Sequence, residues 1–181
     1  MSNFLYVDNS NVWIEGMHVS AVAQGMAPTI LYAQQNKVTD PTYRLDFGRL
    51  LQFAGGDRNE VGRAVLFGSR PPANDTLWSI AKSKGFEVIV HDRSAWTGKE
   101  KKVDTNIVTD IVTDSFTRMK AERDEITVVT GDSDFVPMLA SLKDRKFRVD
   151  VCFWDHAARE LRDAASKFVS LNPYLDHLRL K

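Results

Sequence analysis

The amino-acid sequence predicts an α/β fold in which a mostly parallel central sheet is covered by helices on both faces. Short apolar segments, rich in β-branched and aromatic residues, recur along the chain, and turn-forming residues bound them. Longer segments with apolar residues at helical spacing lie between these strands. Strands that alternate with helices form crossover units, which make the strands parallel and place the helices on the faces of the sheet. With 181 residues, the chain is expected to be one domain, residues 1–181.

Six segments are predicted as strands because each is short, apolar and ended by polar or turn-forming residues. They cover residues 4–7, 64–67, 86–90, 126–129, 147–153 and 168–171. Five helices are predicted between them, at residues 46–54, 74–84, 103–119, 133–143 and 156–165. A further helix is expected to begin after Asn11. The stretch of about 18–42 has no clean period, and we interpret it as an insertion, a flap or a small hairpin.

The overall charge excludes some functions. The chain has 24 Lys and Arg against 24 Asp and Glu, which is not the charge of a protein that holds duplex DNA by bulk attraction. The net charge does not exclude an enzyme that acts on nucleic acid, because the negative charge of an acidic centre can cancel the positive charge of a basic rim in the sum over the chain. No apolar run reaches the roughly 20 residues of a membrane span, and the start lacks the pattern of a secretory signal. With a single cysteine, Cys152, a reducing, cytoplasmic location and no membrane partner are expected.

Acidic residues follow the predicted strands or open a predicted helix at three separate places. Asp8 comes directly after the first strand, and Asp132 and Asp134 come directly after the fourth. Asp104 opens the helix with the clearest apolar stripe. Because the carboxyl ends of parallel strands and the starts of the following helices share one edge of the sheet, these four acids are expected to converge there.

A cleft that holds several carboxylates predicts a metal site. Crowded carboxylates repel one another unless some are protonated or a cation neutralises them. Oxygen ligands without His or Cys favour hard ions, Mg²⁺ or Mn²⁺, and such ions suit phosphoryl chemistry. Each acid taken alone is better explained as a helix cap or a turn residue than as a catalytic group. Only the joint pattern indicates a functional site.

Three further residues are candidates for supporting these acids. Asn11 offers a neutral oxygen near the end of the first strand, and Ser133 lies between two of the acids. Asp110 lies on the flank of the helix that Asp104 opens. Asp114, further along that flank, is predicted to be an ordinary surface residue.

Basic residues cluster before Asp104 and after the second and third strands. We expect them to guide a phosphate backbone, and one tryptophan in the same loop has the right chemistry to stack on a base. The alternative is that the basic residues belong to an ordinary solvated surface loop and that the tryptophan packs on the backbone of that loop. The candidates are Arg70, Arg93, Trp96, Lys99, Lys101 and Lys102.

Three segments resemble the NYN domain family. Residues 4–11 resemble its opening, an apolar strand followed by Asp, two residues and Asn. Residues 102–110 resemble its helix start, a Lys and Val-Asp with a second Asp after five residues. Residues 128–139 contain its Gly-Asp-x-Asp-Phe block, the most specific of the three. The resemblance covers residues 4–171 and includes the pattern at 160–168.

The NYN family belongs to the PIN-like superfamily of metal-dependent nucleases and is close to bacterial LabA-like proteins. The resemblance therefore implies a Rossmann-like three-layer α/β/α sandwich, an acidic cluster that binds Mg²⁺ or Mn²⁺, and RNA as the usual substrate. The family positions fall on Asp8, Asp104, Asp132 and Asp134, and also on Asn11 and Asp110. The chain departs from the family in a longer segment at residues 17–43 and in Lys102, where the family often has Gly.

The leading hypothesis is a metal-dependent endoribonuclease that acts on single-stranded or structured RNA. The alternative is a non-catalytic module that binds RNA or protein on the same fold, because a fold does not guarantee turnover. A phosphatase of the haloacid-dehalogenase type fits poorly, since Ser10 stands where that class needs a second Asp. The sequence is compatible with a homo-oligomer and with binding to a protein partner.

Overall fold

The structure is a computed structural model that describes residues 1–70, 75–92 and 101–181; residues 70, 75, 92, 101 and 102 are described by their backbone alone. The strands are β1 (Asn3–Asp8), β2 (Val61–Arg70), β3 (Glu87–Asp92), β4 (Glu125–Val129), β5 (Arg148–Phe153) and β6 (Lys167–Ser170). The helices are α1 (Asn9–Ala23), α2 (Ile30–Gln35), α3 (Phe47–Gly55), α4 (Asp75–Lys84), α5 (Lys101–Thr117), α6 (Val136–Asp144), α7 (Arg159–Ala164) and α8 (Leu175–Leu178). Short 3₁₀ turns cover Arg58–Glu60, Ser133–Phe135 and Asn172–Tyr174.

The six strands form one sheet in the order β3-β2-β1-β4-β5-β6, and every neighbouring pair is parallel. The predicted α/β sandwich with a parallel central sheet is therefore confirmed. The chain first adds strands on one side of β1 and then returns to add them on the other side. The point of reversal lies between β1 and β4, and in sheets of this kind ligands bind outside the carboxyl ends of the strands at that point.

Alternate residues of the central strands supply two separate cores, one on each face of the sheet. Leu5 and Val7 of β1 pack with residues of α1, α3 and α4, including Leu50 and Trp78. Phe4 and Tyr6 point the other way, into a core with α5, α6 and α7. Each fully buried aliphatic side chain contributes about 1.5–3 kcal/mol. These two cores fix how the helices lie over the carboxyl edge of the sheet. Among the described residues, no helix has the length and apolar character needed to cross a membrane.

Several element boundaries differ from the prediction, and those of β2 and α6 are two of them. β2 starts at Val61, three residues before the predicted strand, because Gly62 and Arg63 interrupt the apolar pattern while the backbone still pairs with β1. The predicted helix at 133–143 begins as a 3₁₀ turn and continues as α6, with Pro137 in the first turn where proline is tolerated.

The stretch of about 18–42 contains the end of α1 and the short helix α2, so it is not a hairpin. Buried Asp40 fastens it to the rest of the molecule. The Asp40 carboxylate accepts hydrogen bonds from the hydroxyls of Ser20 and Thr42, each at 2.6 Å, and lies 3.5 Å from the Arg179 guanidinium near the end of the chain. These partners lower the pKa of Asp40 from 3.8 to about 2.

We expect Asp40→Asn to reduce the free energy of unfolding by up to about 2 kcal/mol at about pH 7. A depressed pKa gives stability that is present above the unfolded pKa and is lost as the pH falls through the folded pKa. The difference in the free energy of unfolding between the variant and the wild type should therefore become smaller as the pH falls from about 4 to about 2. Urea denaturation across this range measures it, with Asp163→Asn, whose side chain is 73% exposed, as the control. A difference that does not depend on pH would contradict the assignment to the Asp40 charge.

Candidate metal centre

Three carboxylates meet at the carboxyl edge of the sheet. Asp104 lies in the first turn of α5, and Asp132 and Asp134 follow β4. Each offers one oxygen, and these oxygens all lie within 4.8 Å of one another. Asp104 and Asp132 are half-buried, while Asp134 is exposed. The donors are all carboxylate oxygens, the set that Mg²⁺ and Mn²⁺ prefer, and their spacing allows a single small cation to contact all three.

The local backbone explains how each of these acids is presented. Asp132 accepts a hydrogen bond from the backbone N–H of Asp134 at 2.9 Å, which caps the 3₁₀ turn and holds Asp134 in place. Asp132 therefore has the structural role that the sequence suggested as an alternative, with its second carboxylate oxygen left for another partner. Asp104 is not a helix cap, because α5 already begins at Lys101. Its place in the first turn puts a negative charge near the positive end of the helix dipole.

Asp8 occupies a different position from the other three acids. It is the last residue of β1, is 4% exposed, and follows Tyr6 by two residues, so it points toward the α5 side of the sheet. It precedes α1 without making a side-chain cap, so the helix-cap explanation does not apply to it. Its carboxylate accepts a hydrogen bond of 3.3 Å from the Thr130 hydroxyl. Asp8 is not a member of the three-carboxylate group.

A set of hydrogen bonds ties the ends of β1 and β4 together. Asn11 accepts from the backbone N–H of Gly131 at 2.9 Å and lies 3.4 Å from the hydroxyl of Thr130, which is fully buried. Gly131 is required here, since a Cβ atom would lie 2.2 Å from the Phe153 ring. Asn11 thus positions the loop that carries the two acids after β4. Thr130 was not among the predicted site residues, because its only signal in the sequence is its place between a strand and the Gly-Asp pair.

Asp110 and Asp114 belong to a second charged cluster, centred on Arg63 of β2. The prediction that Asp114 lies on the surface was wrong, because Asp114 is 3% exposed. It accepts from the Tyr6 hydroxyl at 2.6 Å and from the Arg63 guanidinium at 2.5 Å, and Arg118 lies 3.2 Å away. A helical projection alone does not reveal that a strand supplies a cation beneath the helix.

The same cluster accounts for Asp110. Its carboxylate lies 4.0 Å from Arg63, and burial raises its pKa. Asp110 is thus placed beside the second cluster and is not part of the three-carboxylate group. Ser133 lies half-buried in the 3₁₀ turn between Asp132 and Asp134.

The predicted substrate-binding residues are described only in part. Arg70 ends β2 and Lys101 and Lys102 begin α5, all at the carboxyl edge, but their side chains lie outside the described residues. Arg93, Trp96 and Lys99 lie wholly outside the described residues. Their role in binding RNA stays a prediction.

Further polar side chains continue the edge from β1 toward β3, and they were not among the predicted site residues. Ser10 and Ser69 place their hydroxyls 3.4 Å apart. The Asn106 amide nitrogen lies 3.1 Å from the nearer ring nitrogen of His91 at the end of β3. Asn9 is 4% exposed, and its amide oxygen has no hydrogen-bond partner among the residues described. These side chains add hydrogen-bonding groups to the edge that carries the acids.

The chain is similar to a known protein family and to a solved structure. The family model described as the NYN domain matches residues 10–172. A solved structure of a protein of unknown function from Vibrio parahaemolyticus is similar in fold, with a TM-score of 0.67 and 18% sequence identity. The similarity covers 94% of this chain and 92% of that one. At that identity the likeness shows the fold alone. A search of curated proteins gave no match.

Proposed function

This chain belongs to the NYN domain family, and we propose on that premise that it is a metal-dependent endoribonuclease. The observation that carries the proposal is the meeting of Asp104, Asp132 and Asp134 at the switch point of the sheet, with their oxygens within 4.8 Å of one another. The NYN domain is a PIN-like nuclease domain. The all-oxygen donor set fits Mg²⁺ or Mn²⁺.

The acids would hold the cation from two elements, with Asp104 on α5 and the other two on the loop after β4. A bound divalent ion supplies charge stabilisation to a scissile phosphate and makes water a better nucleophile at neutral pH. Asp8, buried against Thr130, would complete the negative field and accept a hydrogen bond from a substrate or a water molecule. Asn11 would keep the Gly131–Asp132 backbone in place during turnover.

RNA is the proposed substrate. Lys101 and Lys102, at the start of α5, would attract the phosphate backbone toward the acids, and Arg70, Arg93 and Lys99 would extend that attraction. Trp96 would stack on a base. The polar groups of Ser10, Ser69, His91 and Asn106 suit the hydroxyl and base edges of a nucleotide, and the 2′-hydroxyl is the group that distinguishes RNA from DNA.

The test is a gel time course on labelled single-stranded RNA with Mn²⁺, Mg²⁺ or chelator. We expect products with either metal and none in chelator, because the crowded carboxylates need a cation to organise a phosphate. A DNA oligonucleotide of the same sequence serves as the substrate control. A folded protein that binds RNA and gives no metal-dependent products would contradict the nuclease and favour the alternative, a non-catalytic RNA-binding module.

A further inference from the structure

A concave surface lies at the amino edge of the sheet, the edge opposite the three acids. It is a groove with a volume of about 790 Å³. Residues of α3, the connection after α3, the start of β2 and the end of α4 line it. The groove is therefore separate from the candidate metal centre, which sits at the other ends of the strands.

The groove exists because two neighbouring strands start at different heights. β2 begins at Val61, whereas β3 begins at Glu87, which pairs with Val65. The four residues 61–64 thus have no partner on the β3 side, and all four line the groove. An unpaired strand edge presents backbone N–H and C=O groups that are available to a ligand.

Positive charge dominates the groove lining. Arg58, Lys82 and Lys84 are exposed there and form no ion pair with any residue that the structure describes. Arg63 also lines the groove, but Glu87 and Asp114 already neutralise it. Among the described residues that line the groove, Asp57 is the one acid, and the carboxylates of Asp46 and Glu60 lie beside Gly48 and Gly56. Three unpaired cations in one groove are notable in a chain whose net charge is zero.

Glycines are frequent in the groove lining. Four of the ten glycines in the chain line it, although they are far apart in sequence: Gly48, Gly56, Gly62 and Gly85. Gly56 and Gly85 have φ angles of 82° and 113°, which other residues rarely adopt. At Gly62 and Gly85 a Cβ atom would meet the side chains of Phe4 and Leu51, so these glycines allow the groove wall to pack closely. The backbone that is open to a ligand is the unpaired edge of residues 61–64. Cations beside exposed backbone are the features that recognise phosphate groups in proteins.

We propose that this groove binds the phosphate backbone of single-stranded RNA at a distance from the acids. The choice of RNA rests on the proposed function, while the anion site itself rests on the groove. β2 has ten residues and is about 33 Å long. An RNA molecule that contacts both the groove and the acids at the opposite edge of the sheet must therefore be longer than this distance. The groove would thus add affinity for long RNA without contacting the scissile phosphate.

The test compares two triple variants with the same change of charge. Arg58→Ala/Lys82→Ala/Lys84→Ala removes the groove cations, and Lys37→Ala/Arg44→Ala/Lys181→Ala removes three exposed cations that do not line it. Binding of a labelled single-stranded RNA of about 20 nucleotides is measured by fluorescence anisotropy in chelator. Chelator prevents cleavage, so failure of the nuclease proposal leaves this measurement intact.

We expect the groove variant to bind RNA at least about tenfold more weakly at low salt, and its salt-dependence slope to fall by about 2, since each phosphate contact contributes about 0.7. The control variant should keep the wild-type slope. Equal affinity and slope for the two variants would overturn the proposal and leave Lys82 and Lys84 as partners of the α4 dipole. Absence of RNA binding by the wild type would overturn it too. Displacement of the RNA by ADP as effective as by unlabelled RNA would overturn the RNA assignment in favour of a free nucleotide.

Discussion

Asp104→Asn is expected to lower metal-dependent RNA cleavage by at least about 10²-fold while the protein stays folded. The substitution keeps the size of the side chain and removes its charge. Asp104 is the only one of the three acids that α5 contributes, so the remaining pair on the loop after β4 would hold a cation from one side only. Initial cleavage rates across a Mn²⁺ titration measure the loss, and part of it should be recovered at high Mn²⁺.

The stability of the same variant separates a metal ligand from a structural residue. In chelator, the three carboxylates repel one another, so removing one charge should leave the melting temperature unchanged or raise it. Saturating Mn²⁺ should stabilise the wild type more than the variant, because a ligand stabilises the state that binds it. Asp176→Asn, whose side chain is 90% exposed, is the matched control for charge. Unchanged cleavage, or a large drop in melting temperature in chelator, would contradict the role assigned to Asp104.

The convergence of these acids was predictable because it follows from topology. Once strands alternate with helices, the residues after β4 and the start of α5 must share the carboxyl edge, whatever their distance in sequence. Asp104, Asp132 and Asp134 meet for this reason. The strand and helix pattern required only local periodicity, which the sequence displays directly.

The features that escaped prediction all depend on partners from distant parts of the chain. Asp114 is on a helix flank that reads as solvent-facing, and only the packing of α5 over β1 and β2 reveals that Tyr6 and Arg63 lie under it. Thr130 links Asp8 with Asn11 only after β1 and β4 pair. The groove at the amino edge arises from the different starting points of β2 and β3, which no local pattern encodes.

Arg63→Met is expected to lower the free energy of unfolding by about 3–5 kcal/mol, the usual cost of leaving a buried charge without its partner. The Arg63 side chain is only 11% exposed, and it pairs with both Glu87 and Asp114. After the substitution, Asp114 would keep the hydrogen bond from the Tyr6 hydroxyl. Its remaining cation among the described residues would be Arg118, whose side chain is 57% exposed and therefore screened by solvent. Urea denaturation at about pH 7 measures the loss.

A double variant shows whether the cost comes from the stranded charge. Adding Asp114→Leu to Arg63→Met removes both partners, and such replacements are often close to neutral, so much of the lost stability should return. A loss below about 1 kcal/mol for Arg63→Met would contradict this account.

The position of this cluster links the stability of the fold to the candidate metal centre. Arg63, Tyr6 and Asp114 fasten α5 to β1 and β2, and Asp104 is presented by the first turn of that same helix. The other two acids are carried by a loop that Asn11 holds independently. Loosening α5 should thus move one carboxylate relative to two that stay in place. Arg63→Met, measured under conditions where it remains folded, should bind Mn²⁺ more weakly than wild type, and the double variant should recover that affinity together with the stability.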